Sequence, residues 1–237
     1  MKSQKIIPIK NDLSRIQKFS YLEYIKTQDH IMQFVKLVKV IIYLIAIAAK
    51  VSLGQVQSPV NSNLSGIMIT RIGQFGLLRK PRPNIPAHYH TGIDILRPGD
   101  NYNDEPIFPI AAGKVISKRV DGPYANIIIE HEFEDKKFWT LYEHISRIAV
   151  SLNDIVNPKR PIACFMNKHE LDQYGWQFDH FHLEILKVEP VMLRPDKAHP
   201  ERYYQAFTLV CYTKNELNHY YYNPIEFLHS FPDILQN

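Results

Sequence analysis

The stretch "DHFHLEIL", residues 179–186, alternates polar and apolar side chains from its first histidine onward. A period of two marks a β-strand, because successive side chains point to opposite faces. Read as a strand, it presents His180 and His182 to one pocket while Phe181 and Leu183 pack behind. Almost ninety residues earlier, "HYHTGIDI" (88–95) sets two histidines and an aspartate within one short run. His90 and Asp94 are four apart, Gly92 between them allows a tight backbone path, and Ile93 and Ile95 flank the aspartate as core-facing anchors. Zinc is held by imidazoles and carboxylates, with one position left open in catalytic sites. An HxH on a strand and an HxxxD elsewhere suit that need. The chain has 11 histidines, however, and exported β proteins often carry surface histidines, so spacing alone leaves both readings open.

The rest of the body reads as short β segments separated by turns. "GKVISKRV" (113–120), "NIIIEHEF" (126–133) and "KFWTLYEHI" (137–145) are rich in Val, Ile, Phe, Tyr and Thr, the strand-favouring types. "DGPYAN" and "FEDKK" between them have turn chemistry. "QAFTLVCYT" (205–213) is expected as another strand and "NPIEFLHSF" (223–231) as a short closing helix. Long amphipathic helices and internal repeats are absent from the body. The expected fold class is mostly β, an antiparallel sheet domain with short helices at the periphery.

A length of 237 residues fits one domain with appendages, and 45% hydrophobic with 22% charged residues is a globular composition. The net charge of +4 is unevenly placed: residues 1–54 hold nine Lys/Arg against three Asp/Glu, and the remainder nineteen against twenty-one. The body therefore has no basic excess for nucleic acid, and no nucleic-acid partner is expected. From Met32 the leader reads as a basic segment, an apolar run over 40–49 and a small-x-small site at Ser52 and Gly54. That run is about half of the roughly 20 residues that span a bilayer, which favours a cleaved signal peptide over a permanent anchor. The expected organisation is a leader over 1–54 with Met32 as a possible true start, a linker over 55–65, and a domain over 66–237 with a C-terminal extension from 187. The expected location is periplasmic or secreted, with contact to the membrane only through the signal peptide and no obligate protein partner. An oxidising compartment permits a Cys164–Cys211 disulfide, while a buried thiol in "PIACFM" is the plainer reading of Cys164.

Six pieces in order resemble one family. "ITRIGQFGLLRKPR" is similar to its entry segment, "HTGIDI" to its HxGxD, "PIFPIAAGKVI" and "YANIIIEH" to the strands that follow, "LYEHI" to its tyrosine-x-histidine and "HFHLEI" to its HxH. The chain thus resembles, over about residues 66–186, the lysostaphin-type (LytM-like) zinc endopeptidases, which cut peptide bridges of bacterial peptidoglycan. The resemblance implies a lysostaphin-like sheet of the duplicated-hybrid-motif type. It implies Zn2+ held by His90, Asp94 and His182, and it implies His144 and His180 as catalytic groups beside the metal. A zinc-bound water has a pKa near 7, so a neutral imidazole within reach can deprotonate it and a second can steady the oxyanion or protonate the leaving amine. The implied partner is a peptidoglycan peptide.

The chain departs from the family pattern in places. Pro158 and Pro161 stand near positions where relatives carry glycine, and "DGPYAN" lacks a glycine common before the Asn. Tyr220, Tyr221 and Tyr222, in the extension, are expected to pack rather than to stack on glycan. His88 makes "HYH" with Asp94 similar to a cupin iron motif, but "EPIFPIAAG" supplies none of the later histidine that a cupin needs, and His88 is expected on the rim. His131, His169, His199, His219 and His229 match nothing and read as structural or exposed. The alternative to a peptidase is a non-catalytic wall-binding or activator domain that keeps the fold. A biotinyl or lipoyl carrier is disfavoured because no lysine sits in the required turn tripeptide.

Overall fold

The computed structural model describes residues 32–42 and 56–235. The chain separates into two compact units, Met1–Ser52 and Leu53–Asn237. In the first, residues 32–42 form a helix, α1. Most of the apolar run over 40–49 and the small-x-small site at Ser52 and Gly54 lie outside the described residues. Among the described residues, no helix is long and apolar enough to cross a membrane.

The second unit is built on a seven-stranded antiparallel sheet. Its strands are β1 (Ile93–Leu96), β2 (Gly113–Arg119), β3 (Asn126–Phe133), β4 (Lys136–Glu143), β5 (Ile155–Val156), β6 (His180–Leu186) and β7 (Tyr221–Tyr222). They lie in the order β7-β6-β4-β3-β2-β5, with β1 paired on β6. The strands expected at 126–133 and 180–186 form with those bounds. Between β3 and β4, Phe133 pairs with Lys136, so the hairpin turns on Glu134 and Asp135, both with positive φ (48° and 65°). Left-handed residues at both turn positions match the twist of the flanking strands. Short helices α2 (Lys168–Tyr174), α3 (Lys214–Tyr220) and α4 (Pro224–Ser230) sit outside the sheet.

Alternation along β6 divides the interior. Phe181, Leu183 and Ile185 enter the main core with Ile95, Ile127, Ile129, Phe138 and Tyr142. Each large apolar side chain so buried contributes about 1.5–3 kcal/mol by leaving water. The opposite face carries Ile128, Trp139, Leu141 and Leu186 under residues of the C-terminal extension. Two expectations are corrected here. Residues 205–213 do not form a strand: only Tyr204–Gln205 pairs, with Val191–Met192, and Ala206 and Cys211 are buried as parts of a loop. Residues 56–62, expected as linker, are packed, since Val60 is buried and Gln57 N donates to Ile110 O at 2.8 Å. The expected packing of the three tyrosines is observed: Tyr221 is buried, Tyr220 stacks on Phe207 and Tyr222 abuts Phe227. Both cysteines are free.

His131 is a core group remote from the HxH pair. It is buried, stacked on Phe138 with ring centroids 4.7 Å apart, and bonded to Ala112 O and the Thr140 hydroxyl, both at 2.8 Å. Burial pushes its pKa down from 6.5 to about 4. The folded protein therefore keeps His131 neutral between pH 6.5 and 4, where the unfolded chain takes up a proton. Its stabilising effect is complete above pH 6.5 and is lost as pH falls through 4. A shift of that size corresponds to about 3 kcal/mol. Denaturant titrations at pH 7 and pH 4 should show His131→Gln losing about that much less between the two than the parent; equal losses would contradict this reading.

Candidate metal centre

Strand register brings the two sequence pieces together. In β6, His182 stands opposite Asp94 of β1 on one side and opposite Glu143 of β4 on the other. His180, two residues earlier on the same face, pairs with Leu96. Gly92 lets β1 enter this close to β6: a Cβ there would overlap the Leu183 carbonyl and the His182 ring. His90 follows the short strand His88–Tyr89, which pairs with Leu78–Arg79, and its backbone is tied by His90 N to Leu77 O at 2.9 Å. His144 comes directly after β4 with φ 62°. That left-handed conformation is uncommon for a residue with a side chain. It turns the imidazole back toward β6, where its ring centroid is 5.3 Å from that of His180 and 6.4 Å from that of His182.

Three ligand-type atoms converge. Asp94 Oδ1 is 3.1 Å from His90 Nε2 and 2.9 Å from His182 Nδ1, and those two nitrogens are 3.0 Å apart. All three residues are buried. Each imidazole is held by its other nitrogen: His90 Nδ1 lies 3.0 Å from the Gln74 carbonyl, and His182 Nε2 lies 3.0 Å from Glu184 Oε1. Both partners are acceptors, so each outer nitrogen carries a proton and donates it. The inner nitrogens are thereby aimed at the common point. Asp94 Oδ2 is taken by Arg79 Nη2 at 2.9 Å, leaving Oδ1 for that point.

The electrostatics agree with a cationic occupant. Burial alone would raise the Asp94 pKa, but hydrogen bonds from His182 and His90 hold it well below the usual carboxylate range. Burial alone would lower His182, yet Asp94 and Glu184 push it up to about 10. His90 is lowered, chiefly by burial. A point that draws a proton this strongly also draws a divalent metal ion. Around tetrahedral zinc, ligand atoms stand roughly 3.3 Å apart, close to the spacing here. Two oriented imidazoles and a carboxylate oxygen, with outer partners already in place, are a donor set that fits zinc.

The cluster lies at the floor of a cleft of about 630 Å³ that also holds His144 and His180. His144 Nδ1 is 2.5 Å from the Pro123 carbonyl, which can only accept, so Nδ1 bears the proton and Nε2 keeps a free lone pair. His180 Nε2 is 3.7 Å from Asp94 Oδ1, beyond hydrogen-bonding distance. Burial lowers both pKa values, that of His180 to about 4. Both rings are thus neutral near pH 7. All five residues singled out from the sequence meet in one place.

Residues 88–193 match the family model of Peptidase family M23. Over those residues the chain is similar to the M23 peptidases. Among solved structures it is similar to a zinc-containing peptidase from Vibrio cholerae, at 24% identity and TM-score 0.41 over 55% of this chain and 36% of that one. It is also similar to lysostaphin from Staphylococcus simulans, at 16% and 0.42 over 73% and 55%, and to LytU, at 19% and 0.41 over 70% and 86%. The chain thus spans about a third of the Vibrio cholerae protein and about half of lysostaphin. A search of curated proteins gave no match.

Three further residues support the cluster. Glu184 was visible as the next same-face position after His182, an HxHxE pattern whose third member supports the second. Thr91, whose hydroxyl donates to Glu184 Oε1 at 2.5 Å, lies inside the HTGID run. Arg79 had no local signal, since its value depends on the pairing of its short strand with His88. His88 lines the cleft but stands outside the converging cluster; its Nδ1 bonds the Pro86 carbonyl at 2.8 Å.

Proposed function

We propose that this protein is an exported zinc endopeptidase that hydrolyses peptide cross-bridges of bacterial peptidoglycan. The convergence of His90 Nε2, Asp94 Oδ1 and His182 Nδ1 within about 3 Å carries the reading, with two neutral imidazoles beside it. Bound zinc supplies Lewis acidity, which polarises a peptide carbonyl and lets water attack near neutral pH. His144, with Nδ1–H locked on Pro123, offers Nε2 as the acceptor for the proton of that water. His180, across from it, is placed to donate a hydrogen bond to the developing oxyanion or a proton to the leaving amine. Arg79 and Glu184 hold the ligands in place, and the cleft positions an extended peptide over them.

The resemblance of the six ordered motifs to the lysostaphin-type enzymes supports peptidoglycan as the substrate, and the leader pattern supports export. Both are tested by recovering the protein from outside the cytoplasm and incubating it with purified peptidoglycan. Its amino terminus is expected near Gln55. New peptide amino termini are expected with zinc, with none after chelation and recovery on adding zinc back. An amino terminus upstream of residue 50 would remove the signal peptide, and zinc-loaded protein that releases nothing from any cell-wall preparation would favour the non-catalytic alternative.

A further inference from the structure

The sheet face that bears the metal cluster is covered beyond the cleft by chain that lies outside the residues matching the M23 family. Ala206, Cys211, Leu217 and Tyr221 pack there on Ile128, Trp139, Leu141 and Leu186. The cover is pinned near the site: Tyr89 N donates to Cys211 O at 2.8 Å, and Phe207 N to the Tyr221 hydroxyl at 2.7 Å. Glu184, fully buried, lies on this face. Its Oε1 holds His182 Nε2 at 3.0 Å and the Thr91 hydroxyl at 2.5 Å. Its Oε2 is buried without a hydrogen-bond partner, a costly state for a carboxylate oxygen. Two further hydroxyls near that carboxylate, those of Thr208 and Tyr221, come from the extension. The Tyr221 oxygen already accepts from Phe207 N, which leaves its own proton free to be donated.

We propose that the C-terminal extension is a working part of the metal centre: Tyr221 and Thr208 pin Glu184, and Glu184 in turn fixes the His182 ring with Nδ1 toward the metal. This rests on the zinc site of the proposed function. A metal-ligating imidazole whose other nitrogen donates to a carboxylate is oriented and made a better ligand. That benefit depends on the carboxylate staying put, and donors to its second oxygen remove its remaining rotation. Tyr221 and Thr208 act through Glu184 and are positioning residues.

The test is the zinc dissociation constant, measured by competition with a chromogenic chelator, with unfolding of the metal-free forms followed alongside. Glu184→Gln is expected to weaken zinc binding about 10–100-fold. Tyr221→Phe and Thr208→Val should each weaken it about 2–10-fold, the range of one hydrogen bond, and the double variant by less than the product because both act on one carboxylate. Tyr221→Phe also strands Phe207 N and should lower metal-free stability, so Thr208→Val, which leaves the backbone bonds intact, is the cleaner probe. Parent affinity in both hydroxyl variants would overturn the role of the extension, and parent affinity in Glu184→Gln would overturn the link to His182. Either result leaves the proposed function standing, whereas a parent that takes up no zinc contradicts both.

Discussion

Asp94→Ala is expected to abolish stoichiometric zinc binding and to lower stability by about 3–4 kcal/mol in the presence of zinc. The figure is the linkage effect for free metal at 100–1,000 times the dissociation constant of the parent. Asp94 is the hub of the cluster: Oδ1 is within 3.1 Å of both ligand nitrogens, and Oδ2 holds Arg79. Its loss removes one of three protein ligands and the charge that favours a cation. It also leaves the Arg79 guanidinium without its partner, so the metal-free variant should be less stable than the metal-free parent as well. Zinc titration followed by thermal melts with and without metal separates the two contributions. A variant that binds one zinc as tightly as the parent would show that the carboxylate is not a ligand.

The second large effect separates holding the metal from moving protons. His180 and His182 share a strand face, yet their surroundings differ. His182 Nδ1 points into the cluster and its Nε2 is tied to Glu184, whereas His180 Nε2 stops 3.7 Å short of Asp94. His182→Ala should therefore lose zinc and activity together. His180→Ala and His144→Ala should each keep near-stoichiometric zinc while turnover falls about 10²–10⁴-fold, the contribution of a positioned acid or base. The rings of His144 and His180 lie 5.3 Å apart over one cleft and would serve one transition state. The double variant should accordingly be far less than multiplicatively worse. Zinc lost in His180→Ala and retained in His182→Ala would reverse the assignment. Unchanged turnover in both His144→Ala and His180→Ala would end the mechanism.

Most of the site was legible because its residues sit where local pattern and function coincide. The alternation of β6 fixes which face His180 and His182 share, and β-branched runs such as "NIIIEHEF" leave little choice but strand. What the sequence hid depends on contacts distant along the chain. The loop at 205–213 is apolar enough to resemble a strand because it packs on a sheet face, and burial alone does not distinguish a covering loop from a paired strand. The bond from Phe207 N to the Tyr221 hydroxyl spans 14 residues and has no local trace. Helices α2 and α3 did leave a signal. "NKHE" and "TKNE" are capping boxes, and in each the cap side chain and the glutamate three residues on exchange bonds with the backbone, Asn167 with Glu170 and Thr213 with Glu216. The backbone turn at His144 could not be foreseen, since nothing in "LYEHI" announces a left-handed histidine.

The most direct test of the central claim is anomalous diffraction, recorded on either side of the zinc absorption edge, from crystals of the protein grown with stoichiometric zinc. The account predicts one strong peak at the floor of the cleft, within about 2.0–2.2 Å of His90 Nε2, His182 Nδ1 and Asp94 Oδ1, with His144 and His180 outside the coordination shell. A peak ligated by other residues, or no peak at His90, Asp94 and His182, would contradict it.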